Sequence, residues 1–344
     1  MDKYQIAIVP QKENHAGAKA VDDAMDIVSS LGYKTIYIYG HEGISFADKI
    51  LRQLNQIYGW SKVYRQIENN ATVFIQNPCR TKILKNSVIK RLKNKKNVSI
   101  VTLVHDVEEL RGILMTSHMK KEFEFMLETS DYFIVHNEVM KDFFVKRGIH
   151  EAKIIVLEIF DYLYQPTDKS KPKFEKVINV AGNLDVIKSK YIGKLGEIGN
   201  VYVNLYGPNF STQLEKHSNI KYCGSFPPDE VPTKLCSGFG LVWDGDSIET
   251  CSGPTGNYLR YNNPHKLSLY IASGLPVVIW DEAAEAKFVK EHNLGITVSS
   301  LKELEERFSN CTQEEYDDYV LSVEKIAEKI RNGYYLKNAL NKLN

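Results

Sequence analysis

Short, nearly unbroken apolar runs alternate along this chain with longer stretches in which apolar positions recur every three to four residues. In the first half the runs are 4–10 (YQIAIVP), 33–39 (YKTIYIY), 71–76 (ATVFIQ), 98–106 (VSIVTLVHD), 132–137 (YFIVHN) and 153–161 (KIIVLEIFD). Helical spacing fills 16–31, 46–68, 118–129 and 138–147 between them. Strands covered on both faces read as continuous apolar runs, and their alternation with helices predicts parallel sheets. Residues 165–176 (QPTDKSKPKFEK), with two prolines and a cluster of charges, break the pattern and read as a linker. The alternation then restarts. Strands are expected at 177–182, 201–207, 220–224, 239–243, 276–280 and 295–298, with helices near 186–196, 230–236, 264–273, 282–292 and 301–308. A helical tail over 313–343, polar on one face, is expected to cross back to the first half.

The fold class is therefore α/β, with two Rossmann-like domains facing each other across a cleft. Residues 1–165 are expected to form the first domain, 177–312 the second, and 313–344 a helical segment packing back on the first. A chain of 344 residues has room for both, because single cores stop growing near 250–300 residues. No apolar stretch approaches the ~20 residues that span a bilayer. Met1 leads directly into strand-like Ile6–Val9, unlike a signal peptide. Five cysteines without CxxC spacing point to reduced, mostly buried thiols and a cytoplasmic protein.

The net charge of +1 conceals an asymmetry. Residues 1–150 hold 22 Lys/Arg against 17 Asp/Glu, and the remainder 22 against 26. Residues 80–96 (RTKILKNSVIKRLKNKK) carry eight basic residues and no acidic one. With Ile83, Leu84, Val88 and Leu92 at helical spacing, this segment reads either as a solvated helix face or as a peripheral contact with the inner face of the plasma membrane. Nucleic acid is not an expected partner, since no nucleic-acid module is present.

The turn after the first strand lacks GxGxxG, and no P-loop, HExxH or GxSxG occurs, so dehydrogenase, NTPase, zincin and hydrolase readings lose support. Chemistry concentrates instead in 238–268 (GFGLVWDGDSIETCSGPTGNYLRYNNPHKLS), where a strand empties into a loop of carboxylates, hydroxyls and glycines and then enters a helix. In an α/β sheet ligands bind at the carboxyl ends of strands, and helix N-termini attract phosphate. Asp244 and Asp246, spaced as in a DxD motif, could hold a divalent metal, but are read as hydrogen-bonding donor-sugar hydroxyls, together with Ser247, Glu249 and Thr250. Asn263 and Pro264 suit the start of a helix. Capping does not need Lys266, whose charge opposes the dipole there; a diphosphate would explain it, with His265 alongside. Gly182 and Asn183, with Lys188, form another turn suited to phosphate, and Tyr206 could either stack on a base or sit in the core. In the first half, His105 and Asp106 end a strand beside Glu108, Glu109 and Arg111, the place for a base that deprotonates an acceptor hydroxyl; which residue acts stays open. His15 and Asp161 are further acceptor-side candidates, with Arg111.

Three segments, GFGLVWDGDSIETCSG, YLRYNNPHKLSLYIASGLPVVIWD and HDVEELRG, resemble bacterial β-1,6-galactofuranosyltransferases of O-antigen assembly. HAGAKA (15–20), IFDYL (159–163) and AGN (181–183) extend the likeness over about 5–325. A more distant resemblance, through the GFGLVW strand, the His-Asp pair and Lys266, is to streptococcal glucosyltransferases that extend GlcNAc on serine-rich adhesins. Those lack the DGDSIETCSG loop. The resemblance implies a GT-B fold, with 1–165 as the acceptor-binding domain and 177–312 as the nucleotide-sugar domain, and an inverting, metal-independent transfer of galactofuranose from UDP-galactofuranose, with no cofactor. The acceptor would be a glycan or lipid-linked hydroxyl. Lys266 would hold the diphosphate, Lys188 assist, and Tyr206 contact uracil; Val186 stands where the family often carries Arg. The alternatives are another UDP-hexose, such as UDP-glucose, transferred to GlcNAc-modified protein, or a non-catalytic subunit that binds glycan or stabilises a partner transferase. Assembly as a homo-oligomer is compatible with all three.

Overall fold

A computed structural model describes residues 2–9, 16–41, 43, 45–79, 84–112, 115–166 and 171–343. The first six strands are β1 (Lys3–Val9), β2 (Lys34–Tyr39), β3 (Thr72–Asn77), β4 (Ser99–Val104), β5 (Tyr132–Val135) and β6 (Ile154–Val156). They form one parallel sheet in the order β2-β1-β3-β4-β5-β6. The second sheet holds β7 (Lys173–Ala181), β8 (Tyr202–Tyr206), β9 (Ile220–Gly224), β10 (Ser237–Val242), β11 (Val277–Trp280) and β12 (Gly295–Val298). Its order is β12-β11-β10-β7-β8-β9, again all parallel. Two facing six-stranded α/β lobes are the GT-B arrangement. Each expected strand exists; β7 begins at Lys173, inside the stretch read as linker.

The two strand orders fix where a ligand can sit. In the first sheet the order reverses between β1 and β3, and in the second between β7 and β10. Loops leaving the two strands at such a point diverge to opposite faces and open a crevice. In the second lobe these are the loops after Ala181 and after Val242. In the first lobe one of them is the segment 10–15, which contains His15 and lies outside the described residues.

The helices start where their caps dictate. Ser45 and Asp48 form a capping box at the helix Phe46–Gln66, and Thr116, Asn137 and Thr312 cap Ser117–Thr129, Glu138–Lys146 and Gln313–Arg331. The helix expected near 186–196 is a 3-10 segment, Lys190–Glu197, because Asp185 holds the preceding backbone in a turn through Ile187 N at 2.9 Å. The expected single tail is two helices, Gln313–Arg331 and Tyr334–Asn341, broken at Gly333, whose φ is 71°. A short helix, Gly253–Tyr258, was not expected. Among the cysteines only Cys251 and Cys311 are buried; Cys236 is exposed.

One apolar cluster runs through both lobes, beside two smaller ones within the first. Leu103, Ile134, Ile159 and Phe160 from the first pack in the same cluster as Leu241, Trp243, Tyr270 and Trp280 from the second. The crossing helix Tyr334–Asn341 lies against Ala16–Ser30 of the first lobe. Its first backbone groups, Tyr335 N and Leu336 N, donate to Asp161 at 3.1 and 2.8 Å. Lys19 adds a polar tie, contacting Asp23 at 2.7 Å and Asp229 of the second lobe at 2.8 Å.

Candidate active site

The loop after β10 is built tightly enough to hold its side chains in place. Gly245, at φ 103°, lies where a Cβ would stand 2.0 Å from Ser252 O, so no other residue fits without moving the loop. Ile248 and Cys251 point inward and are buried, and Trp243 Nε1 donates to Ser247 O at 2.8 Å. This leaves Asp244 at the crevice. Its Oδ1 accepts from Ser189 Oγ at 3.1 Å and Gly245 N at 2.8 Å, joining the loops that follow β7 and β10.

Lys266 occupies the same spot. It is the second residue of the helix His265–Ala272, and its Nζ donates to Trp243 O at 2.8 Å and stands 3.6 Å from Asp244 Oδ2. An ammonium has three donors; Trp243 O takes one, and Asp244 is an ion-pair partner just outside hydrogen-bond distance, so two donors make no hydrogen bond to the protein. The positive end of the helix adds to the same potential. Asp246 diverges from Asp244: its carboxylate pairs with Lys190 at 3.1 Å. The two carboxylates of the DxD pattern thus serve two different lysines, and no group of three metal-ligating side chains is gathered among the described residues.

Other expected donor-side residues are placed differently. Glu249 pairs with Lys302 and reaches Ser300 Oγ at 3.3 Å, and the lysine holds its carboxyl below the usual range. Ser247 Oγ receives Glu249 N at 3.1 Å, which closes a turn, and Thr250 is half-buried beside it. Gly182, with φ 143°, approaches Gly207 so closely that a Cβ on Gly207 would meet Gly182 O at 1.8 Å. Asn183 is exposed and accepts from Asn209 Nδ2 at 2.9 Å, while Lys188 is exposed on the same turn. Tyr206 is buried, with its hydroxyl donating to Lys234 O at 3.3 Å.

Asn263 does not cap the helix; Pro264 holds the cap position, and Asn263 is buried in the seam between the lobes. Its backbone N donates to His136 Nδ1 at 2.9 Å, and its Nδ2 to His136 O at 2.9 Å and Glu158 O at 2.8 Å. Its Oδ1 accepts from Asn137 Nδ2 at 2.7 Å. These bonds pin the start of the Lys266 helix to the carboxyl end of β5 across the seam. Pattern reading passed over His136 and Asn137, although they end β5 as His105 and Asp106 end β4.

Phe160 organises three imidazoles in that seam. His105 stacks on it at 5.5 Å, His136 meets it edge-on at 4.9 Å, and His265 tilts against it at 5.1 Å. Burial lowers all three, to about 4, 3 and 3 respectively, so they are neutral at pH 7. His265 therefore packs as an uncharged ring, with both buried nitrogens lacking a protein partner. His105 Nε2 donates to Gln76 Oε1 at 2.6 Å. Glu285 completes the seam 3.4 Å from Asn137 Nδ2, and burial raises its carboxyl far above the ordinary range.

In the first lobe Asp106, an expected acceptor-side residue, is partly exposed, 3.5 Å from Arg111 Nη1. It also hydrogen-bonds the hydroxyl of Tyr258, which crosses from the second lobe and accepts from Val107 N at 3.0 Å. Tyr258 sits on the unexpected helix Gly253–Tyr258 and so had no sequence signal. Glu109 turns away to Arg147, and Asp161 faces the crossing helix rather than the cleft.

Models of the glucosyltransferase 3-like N-terminal and C-terminal domains match residues 3–159 and 178–343. The chain is 33% identical over 332 residues to beta-1,6-galactofuranosyltransferase WbbI of Escherichia coli K12, covering 95% of this chain and 94% of that protein. It is 27% identical to glucosyltransferase 3 of Streptococcus gordonii, covering 93% and 92%. Among solved structures, Anabaena Alr3699/HepE in complex with UDP matches with a TM-score of 0.60 at 12% identity over 99% of both chains. An alpha-glucosyltransferase in complex with UDP and a 13-mer DNA matches with a TM-score of 0.60 at 13% identity, covering 100% and 98%. At those identities the two structures speak to the fold.

Proposed function

The chain belongs to the glucosyltransferase 3-like family and is a glycosyltransferase of GT-B fold; from that premise we propose that it transfers galactofuranose from UDP-galactofuranose to a glycan or lipid-linked hydroxyl, with inversion at the anomeric carbon. The observation that carries the reading is the ammonium of Lys266, held on Trp243 O at a strand-order reversal with donors to spare. The identity to a galactofuranosyltransferase over nearly the full chain favours that sugar.

The acceptor oxygen attacks C1 of the donor sugar while its proton passes to a carboxylate of Asp106. The C1–O bond to the diphosphate breaks, and the electron pair leaves on UDP. Negative charge grows on the β-phosphate oxygens, so a fixed ammonium and a helix N-terminus lower the barrier without reorganising. Asp106 is chosen over His105 because it is partly exposed at the junction of both lobes, whereas His105 is stacked on Phe160 and bonded to Gln76. The hydroxyl of Tyr258, which accepts from Val107 N, hydrogen-bonds Asp106. We assign no metal to this chemistry, since Asp244 and Asp246 each serve a lysine.

The test is a donor screen followed by linkage analysis of the product. UDP-galactofuranose should support turnover well above UDP-galactose and UDP-glucose, and Asp106→Asn should remove it while donor binding survives. The match to glucosyltransferase 3-like models favours UDP-glucose as the second reading, and preferential turnover of that donor would replace the first.

A further inference from the structure

The helix Phe46–Gln66 is apolar on both sides. Gly59, Trp60 and Val63 face the core. On the side turned away from it, Phe46, Ile50, Leu51, Leu54, Ile57 and Tyr58 are between 41% and 79% exposed. Positions 46, 50, 54, 57 and 58 recur at three- and four-residue steps and so line one stripe, ~18 Å long at 1.5 Å per residue. Six of the sixteen exposed large hydrophobic residues among those described fall on this one helix, which is a patch and not scatter.

The charges around the stripe identify what covers it. The helix carries Lys49, Lys62 and Arg65; at its first turn Asp48 is taken up by Ser45 and His41, and Arg52 by the carbonyls of His41 and Gly43 at 2.9 and 2.7 Å. The neighbouring helix Lys85–Lys96 packs alongside, with Lys96 Nζ on Tyr64 O at 2.6 Å. Lys85, Lys90 and Lys93 of that helix are paired with Glu122, Glu128 and Asp131, so the basic segment is less available to lipid than its sequence implies. Arg91 and Lys95 are exposed there. An apolar stripe bordered by cations complements a surface with acyl chains beneath anionic headgroups.

We propose that this face seats the first lobe on an anionic lipid surface, with the helix lying in the plane of the interface. The helix begins just beyond the carboxyl end of β2, the edge of the sheet at which the cleft opens. A lipid-linked acceptor would then meet the cleft from the surface that holds the protein; that functional sense rests on the acceptor reading above, whereas the binding itself does not. No helix among the described residues is long and apolar enough to cross a membrane, so the contact is interfacial.

The experiment is sedimentation of the full chain with sucrose-loaded vesicles of phosphatidylcholine alone or with about 30% phosphatidylglycerol. The protein should pellet with the anionic vesicles only. The double variant Ile50→Glu, Leu54→Glu, on exposed positions, and the double variant Arg91→Glu, Lys95→Glu should each lower partitioning by about tenfold or more. UDP release from the donor in solution should be unchanged in the stripe variant, which separates failure of the surface from failure of the transfer reading. Equal partitioning of wild type and stripe variant overturns the proposal. So does absence of vesicle binding, and a dimer broken only by the stripe variant would then assign the face to a second copy.

Discussion

Asp161 should make the stability of this protein fall as pH rises, and replacing it with Asn should remove that slope. The carboxylate is 5% exposed and accepts two backbone N–H groups at the start of the crossing helix, Tyr335 N and Leu336 N. Those bonds favour the charged form, but burial dominates and pushes the group from 3.8 up to about 7. A raised folded-state pKa contributes stability that is whole below the unfolded value and is lost as pH climbs through the folded one. Between pH 5 and 7 the unfolded chain has ionised this group while the folded chain has not, so each pH unit weakens folding by about 1.4 kcal/mol. From pH 5 to 8 the loss is about 2.7 kcal/mol, or about 4 °C in Tm for a chain of this length. Asp161→Asn keeps an acceptor for the helix and cannot ionise. The Tm difference between wild type and variant, taken by scanning calorimetry at pH 5 and pH 8, cancels most contributions of other groups, including Asp23, which burial also raises, to about 6. The difference should shift by about 4 °C in favour of the variant at pH 8. A difference that is the same at both pH values, or that shifts the other way, refutes the reasoning.

Asn263→Ala should destabilise the protein by about 2–4 kcal/mol, read from thermal unfolding, because three partners, two of them on the buried residues His136 and Asn137, lose their bonds at once. Tyr258→Phe leaves the buried Val107 N without an acceptor; it should cost about 1–3 kcal/mol and lower kcat more than it changes KM for the donor. Turnover in the presence of EDTA should match turnover without it, and strong inhibition would restore Asp244 and Asp246 as a metal site.

The architecture was legible because both sheets are parallel and covered, so each strand is a short unbroken apolar run between helices of regular spacing. The strand-end position of Asp244, and of Lys266 one loop later, followed from the same pattern. What the pattern could not carry was direction. Glu109 and Asp161 have the right chemistry at the right strand ends, yet one turns to Arg147 and the other to a helix more than 170 residues away. Asn263 has the composition of a cap but serves the seam, because His136 and Glu158 offer their groups where the lobes meet. Tyr258 was invisible, since GPTGNY gives little helical signal and is shaped by packing against Cys251 and Asp244 through Gly256. The stripe on Phe46–Gln66 reads as an ordinary amphipathic helix until the structure shows which side is covered.

The most direct measurement is calorimetric binding of UDP and of uridine to wild type and to Lys266→Ala. The lysine is expected to contact the diphosphate through a charged hydrogen bond of about 1.5–3 kcal/mol, so the variant should bind UDP about 10- to 150-fold more weakly. Uridine, which has no phosphate, should bind both proteins alike, and the Tm of the variant should match that of wild type. Equal UDP affinity in the two proteins would contradict the account.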